Sequence, residues 1–301
     1  MKLFSARIFL ILSVLVVFGT AGSAWAEAAI ETVPTSLTNA QWAGQGFTFL
    51  ALSADQQAAG YEVFTVAQAE QGFQGDRSVR INYAEHVGKE VTVTEMVAFP
   101  AGINKSESLA YMTVNDTGEK LVGRTSRGQI EGLVLTSDIV NARQQFLGKI
   151  IYPKFRELSG LAAKDTDAPV TISIGSAATV VDVYAGNKSQ QPICLIVSVN
   201  SQKAVLPIAY SWTNVSVNTW KNTVAWQEAF FTEDPRLTLG WSQAMWNNIE
   251  TGNVEIGMTK EQIRLSWGKP VRVDENNAAW TYGPKKLNFS GDVLQSIETI
   301  E

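Results

Sequence analysis

Residues 255–270 read Glu255-Ile-Gly-Met-Thr-Lys-Glu-Gln-Ile-Arg-Leu-Ser-Trp-Gly-Lys-Pro270. Thr259 is a good helix N-cap, and Gln262 lies three residues on, where its side chain can return a hydrogen bond to the cap's own N–H. Met258 before the cap and Ile263 after the first turn are placed to clamp the helix start as a hydrophobic staple. Gly268 and Pro270 end the helix, Gly by tolerating a left-handed conformation and Pro by lacking an N–H. The spacing predicts one helix of about two turns with Ile263 and Trp267 on one face. So short a helix is marginal alone and needs a sheet to lie on.

The sheet follows at once. Residues 271–273 read as a first strand, Asn276-Asn277 as a turn, and Trp280 and Tyr282 alternate in the next strand. Gly283-Pro284 breaks that strand, and Leu287 and Phe289 alternate beyond it. Ser290-Gly-Asp292 turns again, and Val293 and Ile297 belong to a last strand. Upstream, Glu233-Asp234 beside Pro235 reads as a helix start, and Trp241, Met245 and Ile249 recur at helical spacing. Residues 236–301 should therefore form two helices and a small antiparallel meander.

The runs Ile256-Gly-Met-Thr-Lys-Glu-Gln-Ile263, Trp267-Gly-Lys-Pro270, Trp280-Thr-Tyr282, and Phe289 through Gly291 to Val293 together resemble the SmpA/OmlA (BamE-like) domain family. The resemblance covers residues 236–301 and is silent on residues 27–235. It implies two helices packed on a three- or four-stranded antiparallel sheet. It also implies a protein-binding role in the bacterial envelope, notably in the outer-membrane β-barrel assembly machinery. Adaptors and inhibitors share the same fold, so the fold alone does not fix the function. One feature departs from the family. Many relatives are lipoproteins, which need a Cys directly after the signal, whereas the single cysteine here is Cys194, inside Ile193-Cys-Leu-Ile-Val197. It reads as a buried small hydrophobe, so no direct lipid anchor is expected and an intramolecular disulfide is excluded.

Residues 1–26 read as a secretory signal peptide. Lys2 and Arg7 give a positive start, residues 8–18 are an apolar run, and Ala24-Trp-Ala26 places small residues at the cleavage positions. The run is short for a bilayer span of about 20 residues, which disfavours the alternative of an uncleaved anchor. Periplasmic location follows as the expectation, with peripheral attachment at the outer membrane. Residues 27–75 read as a leader and loop region, and residues 76–156 as a β-rich, barrel-like domain with a short helix through Val140, Gln144 and Leu147 and then a strand opening at Leu147-Gly-Lys-Ile-Ile-Tyr152. Residues 157–167 are a linker by composition. Residues 168–235 form a second β-rich region, in which Val170, Ile172 and Ile174 alternate and Asn200-Ser-Gln202 turns a hairpin. The fold class expected is α+β, with β-rich N-terminal domains followed by the BamE-like module.

The chain carries 24 Lys and Arg against 29 Asp and Glu, a net charge of −5, and has no basic block, so nucleic acid is not an expected partner. His86 is the only histidine and matches no hydrolase or zinc pattern; an exposed or strand-end position is expected for it. Phosphate-cradling Gly loops are lacking, so no cofactor is expected. The informative cluster is aromatic. Trp212, Trp220, Trp226, Phe230, Phe231, Trp241 and Trp246 fall within 35 residues. Packing of the second β region onto the C-terminal helices explains most of them. Trp220, Trp226 and Trp246 are the candidate partner-binding residues, since aromatic side chains are enriched at interface hot spots. Together these features point to a non-enzymatic binding protein of the cell envelope, with a protein partner first and a glycan second. The competing expectation is an envelope hydrolase acting on glycan or peptide, with distant carboxylates converging in a Trp-lined cleft.

Overall fold

Phe47, Phe49, Tyr61 and Val63 are all buried in one apolar core, and they draw the expected leader region into a sheet. The computed structural model describes residues 37–100, 106–125, 129–161, 168–186, 188, 190–215 and 225–300, all within a compact unit of residues 33–301. The expected export signal at residues 1–26 lies outside the described residues. The architecture is mixed α+β and rich in strand.

Among the described residues, the first sheet contains β1 (Gly46–Phe49), β2 (Val63–Thr65), β3 (Glu90–Pro100), β4 (Ser106–Val114), β5 (Lys120–Thr125) and β6 (Leu133–Leu135). Their order is β2-β5-β4-β3-β1-β6, with every neighbouring pair antiparallel. This corrects the barrel-like expectation for residues 76–156. The two edges β2 and β6 do not pair, so the sheet is open, and it begins at residue 46 because the apolar face of β3 needs β1 beside it. A turn at Asn115-Asp-Thr-Gly118 joins β4 to β5, with Gly118 at φ +74°.

The helix Thr136–Phe146 crosses from the first sheet to the second. Its buried face is Asp138, Ala142 and Phe146, while Val140 and Leu147 are exposed, the reverse of the face expected from the apolar residues. The second sheet comprises β7 (Ile150–Pro153), β10 (Ala178–Ala185), β11 (Ile193–Val199), β12 (Gln202–Ile208) and β13 (Phe230–Phe231) in the order β12-β11-β10-β7-β13. A separate small pair joins β8 (Glu157–Leu158) to β9 (Val170–Thr171). Strand β7 was expected in the first domain; it lies between β10 and β13 instead. Asn200 and Ser201 both take positive φ between the paired residues Val199 and Gln202, which is the backbone a two-residue type I′ hairpin requires.

The C-terminal part has helices Gln243–Thr251 and Lys260–Trp267 followed by β14 (Arg272–Val273), β15 (Ala279–Tyr282), β16 (Lys285–Ser290) and β17 (Val293–Thr299), paired antiparallel in chain order. The capping box is present. Thr259 Oγ1 accepts from Gln262 N at 3.3 Å, and Gln262 Oε1 accepts from Thr259 N at 2.8 Å. Met258 and Ile263 are both buried in the same core, as a staple demands. The earlier helix is shorter than its apolar spacing implied. Ser242 caps it, with Met245 N donating to Ser242 Oγ, and Trp241 lies outside it. Trp241 packs on Trp246 with ring centroids 5.1 Å apart, so it too occupies the staple position before a cap. In the last strand Leu294 is the core residue and Val293 is exposed, because the register shifts between Asn288 and Phe289. Ile174 and Phe231 pack in this same core, so the module's apolar interior draws on the preceding region and not only on residues 236–301.

A cationic cleft beside the C-terminal helices as candidate functional site

Trp226 stacks on Phe230 at 5.2 Å and meets the edge of Phe146 at 5.2 Å, in the core between the second sheet and the Thr136–Phe146 helix. Trp246 lies in the C-terminal core with the Arg236 guanidinium 4.6 Å from its ring centre. Each is only 2% exposed. Neither can present a partner-binding surface, and the aromatic-surface expectation is corrected for both: packing against neighbouring elements consumes their faces. Trp220 lies outside the described residues. His86 also differs from expectation. It is buried, with Nδ1 2.8 Å from the Asn82 carbonyl in its own helical turn and Nε2 3.1 Å from Glu119 Oε2, which ties that turn to the segment between β4 and β5. Cys194 is buried in β11 as read, and burial pushes its thiol up, away from reactivity. Among the described residues no group of three His, Cys, Asp or Glu side chains is placed to hold a metal ion, and no helix is long and apolar enough to cross a membrane.

Among the described residues, a cleft of about 980 Å³ opens between the rim of the second sheet and the Lys260–Trp267 helix. On one side stand residues 154–156, which follow β7, and residues 225–229, which lead into β13. On the other stand Lys260, Arg264 and Trp267 of the helix, and Lys269 beyond its glycine cap. Lys260 and Arg264 are four residues apart and so share a helix face. Lys260 Nζ is tied to the Gly291 carbonyl at 2.8 Å. Arg156 donates through Nε to the Glu250 carbonyl at 3.0 Å and through its terminal nitrogen to the Ile249 carbonyl. It thereby satisfies the last carbonyls of the Gln243–Thr251 helix and fastens that helix to the sheet.

Lys154 is the most perturbed cation here. Its ammonium lies 4.1 Å from the Phe231 ring centre and donates to the Gln227 carbonyl at 2.7 Å. Burial pushes it down to about 8, against the pull of Glu261, with Arg264 adding to the push and Glu228 opposing it. Lys269 ion-pairs with Glu228 across the cleft. Trp267 Nε1 donates to the Gly252 carbonyl at 2.7 Å, and the Tyr282 hydroxyl to the Gly268 carbonyl at 2.9 Å. These bonds fix the wall of the cleft before any ligand arrives. Chemically, the site offers partly buried cations among amides and carboxylates. The sequence reading missed it, since Lys154 and Lys260 stand in segments far apart; the Lys260/Arg264 spacing was the one local signal.

A comparison of the chain with family models, with curated proteins and with solved structures finds no match.

Proposed function

We propose that the chain is an exported, non-enzymatic binding protein of the bacterial cell envelope, and that its C-terminal region is a BamE-like (SmpA/OmlA) module that docks onto a protein partner from the periplasm. The observation that carries this reading is the cleft, whose walls come from the module's second helix and from the β-rich region before it. Support for the module comes from its element order, two capped helices and a four-stranded antiparallel meander. The cleft's volume lies at the upper end of the roughly 300–1,000 Å³ typical of ligand sites, enough for a short chain segment. Photo-crosslinking in cells tests the reading, with the probe placed at Gln227 on the cleft rim and, in parallel, at Val97 on the first sheet. Crosslinks to an envelope protein from Gln227 but not from Val97 are expected; none from either position contradicts the docking role.

A second reading is an envelope hydrolase. The specific observation in its favour is that Glu228, Glu261 and Asp292 line the same cleft, beside Trp212 and Trp267. Glycosidic hydrolysis needs a pair of carboxylates across the scissile bond. Turnover of cell-wall glycan or peptide that disappears in Glu261→Gln would establish it, and no turnover by the unaltered mature chain would remove it.

A further inference from the structure

The charge of the cleft runs against that of the chain. Five cations, Lys154, Arg156, Lys260, Arg264 and Lys269, line it against three carboxylates, in a chain whose 24 Lys and Arg are outnumbered by 29 Asp and Glu. Basic groups are gathered at this concavity. Of the aromatic rings lining the cleft, Trp267 is half-buried against Tyr282 and Lys285, Trp212 is half-buried, and Phe155 is exposed. Trp280 is 1% exposed, and its ring is packed against Phe289 at 5.1 Å. A neutral glycan is recognised by flat, open aromatic faces, and among these rings only Phe155 is largely open. Charge is the cleft's more abundant feature.

We infer that the cleft's ligand is an acidic polypeptide segment of the partner, whose carboxylates are read by Lys154, Lys260, Arg264 and Lys269. This deepens the proposed binding role and rests on it. Two features favour a polypeptide over a polyanion of uniform charge. Glu228, Glu261 and Asp292 are interleaved with the cations and would repel the dense, unbroken charge of a sulfated or phosphorylated chain more than the spaced carboxylates of a polypeptide. Gln190, Gln227 and Asn277 also line the cleft, and side-chain amides both donate and accept, as a peptide backbone requires. The half-buried setting of Lys154 adds to the effect, because charge pairing strengthens where water is displaced. Lys154 and Lys260 each give one of three ammonium N–H groups to a backbone carbonyl and Lys269 faces Glu228, whereas Arg156 bridges two helix carbonyls and serves as the cleft's anchor.

The test is fluorescence anisotropy of the mature chain with a short labelled peptide rich in glutamate, with its glutamine twin, and with a heparin oligosaccharide. The glutamate peptide is expected to bind at least about tenfold tighter than the twin, and more weakly as salt rises. Lys154→Met combined with Lys260→Gln is expected to lose about tenfold, while Lys120→Gln on β5 leaves binding unchanged. Methionine keeps the packing on Phe231; if the double variant fails to fold, the twin comparison on the unaltered chain still decides. Equal binding of the two peptides overturns the inference, and so does binding of heparin alone. Crosslinks to an envelope protein from Gln227, with no preference for glutamate, would leave the binding role standing and remove only the acidic-segment assignment.

Discussion

Asp138 lies on the buried face of the Thr136–Phe146 helix, where Ser211 donates to its Oδ2 from Oγ at 2.6 Å and from N at 3.2 Å. Burial pushes this carboxyl up to about 6, although the two bonds from Ser211 pull the other way. The folded state thus holds a proton that the unfolded chain, with an ordinary carboxyl near 3.8, has already released. Its stabilising contribution is fully present below about pH 4 and is lost as pH rises through about 6. Urea denaturation of the parent and of Asp138→Asn across this window should show the parent losing on the order of 3 kcal/mol relative to the variant. A constant difference between the two would contradict the assignment. At Gly60, φ is +81° and an added Cβ would stand 2.1 Å from the Ile81 carbonyl oxygen. Gly60→Ala should therefore lose more than about 2 kcal/mol. Gly118→Ala, with φ +74° but open space around it, should lose about 1 kcal/mol. Trp226 makes a third case: Trp226→Ala should cost about 3–5 kcal/mol in thermal or urea unfolding, the signature of a core ring rather than a surface one. At this scale the sequence misled, because a dense run of tryptophans looks the same whether it faces solvent or core. Burial of Asp138 and His86 was equally illegible, since their partners Ser211 and Glu119 are distant in the chain.

Elements that depend on near neighbours were legible. The Thr259–Gln262 box, the Asn200-Ser201 turn, and the Gly283-Pro284 break each need only a few consecutive residues, and each occurs where the sequence put it. Gly283 has φ +53° between the paired residues Tyr282 and Lys285, and Pro284 cannot share that sign, so the hairpin takes the type II′ form. Thr259→Ala should destabilise by about 1 kcal/mol, read as a lowered unfolding temperature. Gln262→Ala should lose a similar amount, and the double variant less than the sum, since each residue bonds the other's backbone. Additive losses would show that the reciprocal bonds do not act as a unit. Pairings between distant segments were illegible. Nothing local tells β7 to lie between β10 and β13, or Ile174 to enter the C-terminal core, because those choices are made by which apolar faces remain uncovered once the hairpins have formed.

Across the described residues, the three largest apolar cores are linked by polar ties. Asn214 Nδ2 donates to the Ile130 and Leu133 carbonyls at 2.9 and 2.6 Å, binding the loop after β12 to the first sheet. Arg156 binds the second sheet to the C-terminal helices. The cleft lies beside that second tie and has walls from both parts, so it exists only in the assembled chain. A resemblance confined to residues 236–301 could not have placed it, because Lys154 and Glu228 belong to the region before. Hydrogen–deuterium exchange of the protein, with and without the glutamate-rich peptide, puts the binding role of the cleft to its most direct trial. Slowed exchange at residues 154–156, 225–229 and 260–268, with the first sheet unchanged, is the predicted result. Protection confined to other segments, or none at saturating peptide, would contradict it.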